Sequence, residues 1–350
     1  MGGTADLPFG LATSVGAVPF TDTPDAVEAA VDMALRLQPA FPTAPTSGGV
    51  VHSLLAQAVS GIDGIEVLPP GLLRAGSSVG ALVGAESVGG IDGTAFEPFR
   101  AFVTDLAAHR DRVGTEFVGV RIGVLGPITL SLALRAAGLD AERSLESAVA
   151  LVARRAVALV DHVRTELPGD VVALVMNEPG LIGAMHPTFP LAPSQVLSAL
   201  TPVVAAVDGR GSGDDLLIGV HVPGRTDWET VICSGVSLIS APADDGVLGW
   251  AEPLSQFFAD GGRIAWGAVP VDQPLGSGEE LLWRRLSSLW CRLVGEGLDP
   301  LLLRSRSLTS PVDGLGHFGP SQAALALGLV ESLSVRVRRQ AIGARLSLGA

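Results

Sequence analysis

The stretch Val171-Val-Ala-Leu-Val-Met-Asn177-Glu178-Pro179-Gly180 decides how the chain folds. An unbroken apolar run rich in valine is a strand buried on both faces, as in a parallel sheet. Pro179-Gly180 ends it, so Asn177 and Glu178 fall where the strand runs out. Asn177 is the only asparagine in a chain that also lacks lysine and tyrosine, so all 23 basic residues are arginine. In a sequence with such gaps, a lone asparagine is either held by function or satisfies its own backbone after a strand.

Outward from this stretch, short apolar runs alternate with longer amphipathic ones. Phe117–Leu125, Leu216–Val220, Val236–Ser240, Ile264–Val269 and Leu301–Leu303 read as strands. Between them the spacing predicts a helix over Glu142 to Leu167, with Leu145, Val149, Val152, Ala156, Leu159 and Val163 on one stripe. Pro168-Gly169 stops it. Further helices are predicted over Glu279 to Val294 and Pro320 to Ala341. Upstream, Leu11–Gly16 is a first strand, and Thr23-Pro24-Asp25 supplies the cap, first-turn proline and acidic turn of a helix to about Leu37. A second strand falls at Pro42–Pro45 or Ile65–Leu68. The fold class predicted is α/β, an eight-stranded (β/α)8 TIM barrel forming a single domain over residues 1–350. Pro69–Gly93, rich in Gly, Ser and Val, reads as an irregular excursion. In Val15-Gly16-Ala17-Val18-Pro19 a proline stands where a helix would begin, which excludes a dinucleotide fingerprint.

The formal charge of −13 argues against a nucleic-acid partner. Arg336, Arg338 and Arg339 spread around a helix and read as a solvated face. Hydrophobic residues make up 47% of the chain and mean hydropathy is +0.44, yet the apolar stretches are cut by Arg121, Arg135 and Gly126-Pro127. No membrane span is expected, since a span needs roughly 18 apolar residues. The amino terminus lacks the basic region of a signal peptide, so a cytoplasmic location is expected. Cys233 and Cys291 lie in helix-like apolar sequence and are expected to be small buried hydrophobes. The partner expected of such a chain is a small molecule.

In a barrel the reacting groups lie just past the carboxyl ends of the strands. Those positions hold Ser14, Gly16 and Asp22, then Asn177 and Glu178, then His221, then Asp244 and Asp245, then Asp272, then Asp313. Neighbouring carboxylates shift one another's protonation, which suits acid–base work. Asp and Glu are also ordinary loop residues, and some of these would simply cap the next helix. His52, His109 and His162 fall in helical stretches. His186 and His317 fall in loops within reach of the mouth.

Several of these segments resemble the catalytic barrel of cobalamin-independent methionine synthase, within the superfamily it shares with uroporphyrinogen decarboxylase. Thr13-Ser14-Val15-Gly16-Ala17-Val18-Pro19 resembles the family's opening T-x-I-G-S-x-P, and Leu125-Gly126-Pro127-Ile128-Thr129-Leu130 its T-G-P-V-T-M. Val175-Met176-Asn177-Glu178-Pro179 resembles Q-I-D-E-P-A. Gly219-Val220-His221-Val222-Pro223 falls where the family has T-H-M-C, and Ser310-Pro311-Val312-Asp313-Gly314-Leu315 where it has N-P-D-C-G-L. The resemblance implies a methyl transfer to a thiol made nucleophilic by zinc, with histidine, two cysteines and a glutamate as ligands. Of these, only His221 is retained. Pro223 and Asp313 stand at the cysteine positions, and Ser240-Ala241-Pro242-Ala243-Asp244 offers no glutamate. Val271-Asp272 replaces a histidine placed for proton transfer, and Asn177 replaces the aspartate that would grip an ammonium.

The readings left open are these. Glu178, His221 and Asp272 form a metal-free acid, base and orienter, with Ser14, Gly16, Asn177 and Asp244 binding substrate. Alternatively His221 and Asp313, with Asp244 or Asp245, hold a harder metal than zinc. No cofactor is otherwise expected. The first function is a methyltransferase-type enzyme acting on a small thiol or amino-acid-like molecule, with a sulfur amino acid or a folate as ligand. The second is a barrel that binds a ligand or partner without turnover. The third, a decarboxylase-like enzyme on a polycarboxylate, wants an early arginine cluster, and Phe41-Pro-Thr-Ala-Pro-Thr-Ser-Gly has none.

Overall fold

The computed structural model describes residues 7–36, 41–46, 49–76, 90–113, 118–211, 215–273, 275 and 278–347. Seven parallel strands form one curled sheet. In chain order they are β1 (Leu11–Ala12), β4 (Gly119–Leu125), β5 (Val171–Asn177), β6 (Leu216–His221), β7 (Leu238–Pro242), β8 (Arg263–Val269) and β9 (Ser307–Pro311), arranged β1-β9-β8-β7-β6-β5-β4. Beside it stands an antiparallel hairpin of β2 (Ile65–Leu68) and β3 (Leu72–Ala75).

Helices fill the crossovers, as parallel pairing requires. They are α3 (Glu97–Val113) before β4, α4 (Pro127–Ala136) and α5 (Ala141–Glu166) after it, and α6 (Pro193–Asp208) after β5. Then come α7 (Trp228–Cys233), α8 (Ala251–Ala259), α9 (Glu279–Gly295) and α10 (Pro300–Ser305), with α11 (Pro320–Ser347) last. Near the start lie α1 (Thr23–Arg36) and α2 (Leu54–Val59). The apolar stripe read over Glu142–Leu167 is the buried face of α5, with Leu151, Val152, Ala156, Leu159 and Val163 inward and Asp140 capping its amino end.

The apolar side chains form two cores. One joins the sheet's outer face to the helices. The other lies inside the curl and includes Leu11, Phe41, Ala173, Val175, Leu217 and Leu308. Alternation along each strand feeds both, which is why the strands read as continuous apolar runs.

The two edges of the sheet, β1 and β4, are both held by residues 41–46 through isolated bridges in place of a regular strand. Phe41 N–H donates to Ala12 O at 2.9 Å, Arg121 N–H to Pro42 O at 2.7 Å, and Ala44 N–H to Arg121 O at 2.9 Å. Pro42 and Pro45 lack the N–H groups a full ladder needs. Of the two places read for a second strand, Pro42–Pro45 therefore takes the edge position, while Ile65–Leu68 belongs to the hairpin. That hairpin also takes up the start of the Pro69–Gly93 excursion, of which residues 77–89 lie outside the described residues. The first and last elements lock together: Leu11 pairs with Leu308, and Ser334 Oγ of α11 donates to Gly10 O.

Three sequence expectations are corrected. Leu301–Leu303 lies within α10, because Asp299 caps Leu301 and Leu302 N–H and Pro300 sits in the first turn; the last strand starts at Ser307. Cys233 and Cys291 are exposed, since each falls on the outward side of its helix. Arg336 is not merely solvated, for it pairs with Glu279 and Glu280 of α9 and stacks on Trp283 at 5.3 Å. Among the described residues no helix is long and apolar enough to cross a membrane.

Candidate functional site

Register fixes which side chains look into the curl. Arg121, Ala173 and Leu217 are level with one another, then Gly123, Val175 and Gly219, then Leu125, Asn177 and His221 at the carboxyl edge. Ser240 is level with His221 on the next strand. Because Ala173, Val175 and Leu217 belong to the inner core, their register partners share that face.

His221 is buried. Its Nδ1 lies 2.9 Å from Ser240 Oγ, and its Nε2 has no hydrogen-bond partner. The closest carboxylate, Asp313 Oδ1, stands 3.6 Å from Nε2, longer than a hydrogen bond but within ion-pair range. Burial holds the imidazole below its ordinary pKa of 6.5; Asp313 pulls it up and Arg121 pushes it further down. Asp313 is half-exposed, and its carboxylate also accepts Gly314 N–H at 2.7 Å. Burial raises its pKa, but His221 and that N–H outweigh burial and leave it below the usual carboxylate range. Sequence position alone brought His221 and Asp313 onto one list, and the fold places them in contact.

Glu178 is fully buried and faces away from this pair. Its Oε1 accepts Ile128 N–H at 2.8 Å, and its Oε2 accepts Thr129 N–H at 2.7 Å and Thr129 Oγ–H at 2.5 Å. Gly126, at the cap position of α4, has no side chain to do this work. A Cβ there would lie 2.1 Å from Glu178 Cδ, so the glycine makes room for a carboxylate arriving from the next strand. Glu178 is thus the cap of α4, satisfying N–H groups that a helix start leaves open. Burial pushes its pKa up to about 7 against the pull of those donors.

The remaining candidates divide. Asn177 looks into the curl beside His221, and its Nδ2 donates to Val175 O at 3.2 Å. Ser14 is buried, and its backbone exchanges hydrogen bonds with Thr43 Oγ1. Gly16, at φ 105°, takes a conformation suited to glycine and accepts Thr46 N–H. Asp22 caps Asp25 N–H at the start of α1. Asp244 is exposed and caps Gly246 N–H at 2.7 Å. Asp272 is exposed. Asp244 and Asp272 line one cleft of about 410 Å³, together with Arg225, Gln273, Arg285 and Val312. Val312 is chain neighbour to Asp313, and Pro242 and Gly267 carry the cleft's wall onto the carboxyl ends of β7 and β8. Of the acid–base–orienter trio, Glu178 meets His221 through its backbone, its N–H donating to His221 O at 2.8 Å, while its carboxylate is bound to Ile128 and Thr129 and Asp272 lines the cleft.

Four residues were missed. Ser240 orients His221 and was read only as a strand end. Arg225 and Arg285 enter the cleft from a loop and a helix, where sequence gave no sign. Arg121 was read only as an interruption of an apolar run, yet an arginine at an inward position of a buried strand is itself the sign. It is 2% exposed, and neither Nη1 nor Nη2 has a hydrogen-bond partner. Burial lowers its pKa to about 10, so it stays charged at neutral pH.

Among the described residues no group of three or more His, Cys, Asp or Glu side chains is placed to hold a metal ion. His221 and Asp313 are a donor pair only, with Asp244 turned to its own helix cap and Pro223 offering no ligating atom. The donor set does not fit the zinc site that the methionine synthase resemblance implies.

Fold and site together define an α/β protein built on a curled parallel sheet, with a cleft at the carboxyl edge. Its fold is similar to that of a methyltransferase from Methanosarcina mazei, with a TM-score of 0.61 and 14% sequence identity over 97% of this chain and 95% of that one. At this identity the likeness concerns the fold. No family model matches the chain, and no curated protein matches it.

Proposed function

We propose that the chain is a methyltransferase-type enzyme built as a single (β/α)8 barrel, whose eighth stave is residues 41–46, and that it acts on a small amino-acid-like molecule without zinc. The observation that carries this reading is His221, buried, fixed at Nδ1 by Ser240 and open at Nε2 beside Asp313. With Nδ1–H donating to Ser240 Oγ, the Nε2 lone pair takes the proton of a thiol or hydroxyl acceptor. The acceptor's electron pair then forms the bond to the methyl carbon, and the donor–methyl bond breaks with its pair leaving on the donor. Asp313 stabilises the imidazolium, as an orienting carboxylate does. The lineage is supported by the methionine-synthase-like motifs and by the fold of the M. mazei protein.

The test is calorimetric titration of the purified chain with L-homocysteine and with a folate, followed by a methyl-transfer assay, each repeated on His221→Ala. Binding with turnover in the native protein, and binding without turnover in the variant, is the expected result. Absence of binding to both ligands overturns the reading. Binding without turnover in either protein supports the second reading, a barrel that only binds. One observation favours that second reading: the motif's glutamate, Glu178, is committed to capping α4.

A further inference from the structure

Arg121 poses a problem that the proposed reaction does not answer. An ionised guanidinium removed from water is costly unless an opposite charge or acceptors compensate it. Among the described residues no carboxylate forms an ion pair with Arg121, and no charged neighbour moves its pKa. The polar side chains sharing its interior are already spoken for. Thr13 Oγ1 bonds Phe41 O and Thr43 Oγ1, Thr43 Oγ1 bonds Ser14 O, Ser310 Oγ bonds Trp266 O, and Ser240 Oγ bonds His221. Among the described residues the unpartnered buried atoms of this interior are therefore Arg121 Nη1 and Nη2 and His221 Nε2. Both residues face the inside of the curl, two strands apart with one inward level between them, and the charge of Arg121 pulls the imidazole's pKa down. The level between the two residues holds Gly123, Val175 and Gly219, and Asn177 Nδ2 stands 3.0 Å from where a Cβ on Gly123 would be, so a guanidinium rising from Arg121 toward the mouth meets that amide on its way.

We infer that Arg121 is the receptor for a carboxylate, and that the molecule bound at the mouth enters with this group leading, its opposite end left beside His221 and Asp313. This rests on the reading that the mouth takes an amino-acid-like molecule, and it names how that molecule is held. A planar fork of two N–H donors is matched by two carboxylate oxygens, which a single ammonium or amide does not reproduce. Nη1 and Nη2 have almost no surface open to water as the side chain stands. Binding therefore requires the guanidinium to move upward, toward the ligand.

The experiment is calorimetric titration of the full chain with L-methionine, L-methioninamide, 3-(methylthio)propylamine, succinate and sodium sulfate. The expected result is that methionine binds at least tenfold more tightly than its amide or the carboxyl-free amine, and that Arg121→Met, folded by circular dichroism, loses this preference. Arg225→Met/Arg285→Met removes the exposed cleft arginines and is expected to keep it. That double variant also decides the matter if Arg121→Met does not fold, since a preference that disappears with the cleft arginines overturns the inference. Equal binding of methionine and the amine leaves the amino-acid reading standing and overturns this one. Succinate binding without methionine binding does the reverse. Binding of sulfate alone, or of none of the five, overturns the carboxylate receptor.

Discussion

Glu178 and Thr129 are bound to each other twice: Oε2 of the carboxylate takes both the backbone N–H of Thr129 at 2.7 Å and its hydroxyl at 2.5 Å. The hydroxyl in turn accepts Gly180 N–H at 3.0 Å, so the end of β5 is tied to the start of α4 from both directions. A residue so engaged holds the fold in place.

Glu178→Ala leaves Ile128 and Thr129 N–H buried without acceptors and is expected to cost about 2–4 kcal/mol of stability. Glu178→Gln keeps the shape but turns an NH2 toward donors, and should lose less. Urea unfolding measures both. A loss below about 0.5 kcal/mol for the alanine variant, within the range of ordinary surface changes, would show that the cap is not needed.

The pH dependence has a definite sign. The folded pKa of Glu178, about 7, lies above its ordinary 4.5, so in that window the native state binds more protons than the unfolded one. Stability should then fall as pH rises from about 4.5 to about 7 and level off above it, by roughly 3 kcal/mol at most. Glu178→Gln should flatten that part of the curve. An unchanged slope in the variant would assign it to another group.

His221 pulls the other way. Its folded pKa lies below 6.5, so the unfolded state takes its proton first as pH drops, and stability is lost on acidification below about 6.5. Proton NMR of the imidazole should show a midpoint under 6.5. Asp313→Asn, removing the group that pulls this pKa up, should lower the midpoint further; a rise would mean that the carboxylate does not act on the ring.

Gly126→Ala forces a Cβ to 2.1 Å from Glu178 Cδ and is expected to destabilise by about 2–4 kcal/mol. Combining it with Glu178→Ala removes the clash. The double variant should therefore lose clearly less than the two single losses added together, and strict additivity would disprove the contact.

Elemental analysis of protein purified without added metal should find zinc well below one per chain, and a chelator should leave the melting temperature unchanged. Stoichiometric metal lost in His221→Ala would restore the metal reading of His221 and Asp313.

Much of the fold was legible because buried parallel strands and amphipathic helices carry different periods. Val171–Met176 and Glu142–Leu167 were placed within a residue or two of β5 and α5. Leu301–Leu303 was misread because three leucines fit a short buried strand as well as a helix turn; the Asp299-Pro300 cap was the deciding sign. Strand-end position gathered His221, Asn177 and Asp313 to one place, since the fold brings all carboxyl ends to one edge. It did not tell that the Glu178 side chain turns sideways into α4, because the backbone leaving a strand does not dictate where the last side chain points. Ser240 and Arg121 were legible only once the register was known.

The pairing of Leu11 with Leu308, reinforced by Ser334 on Gly10, has a consequence for how the chain comes into being. During synthesis the opening strand has only its bridges to residues 41–46 until Ser307–Pro311 has been made, because its ladder partner is β9 and the helix that covers it follows β9. Until then the inner core lies open at that edge. Folding must wait for its most distant contact, a late and slow closure for a chain of this topology. A truncation that removes α11 should leave an aggregating intermediate, not a smaller working protein.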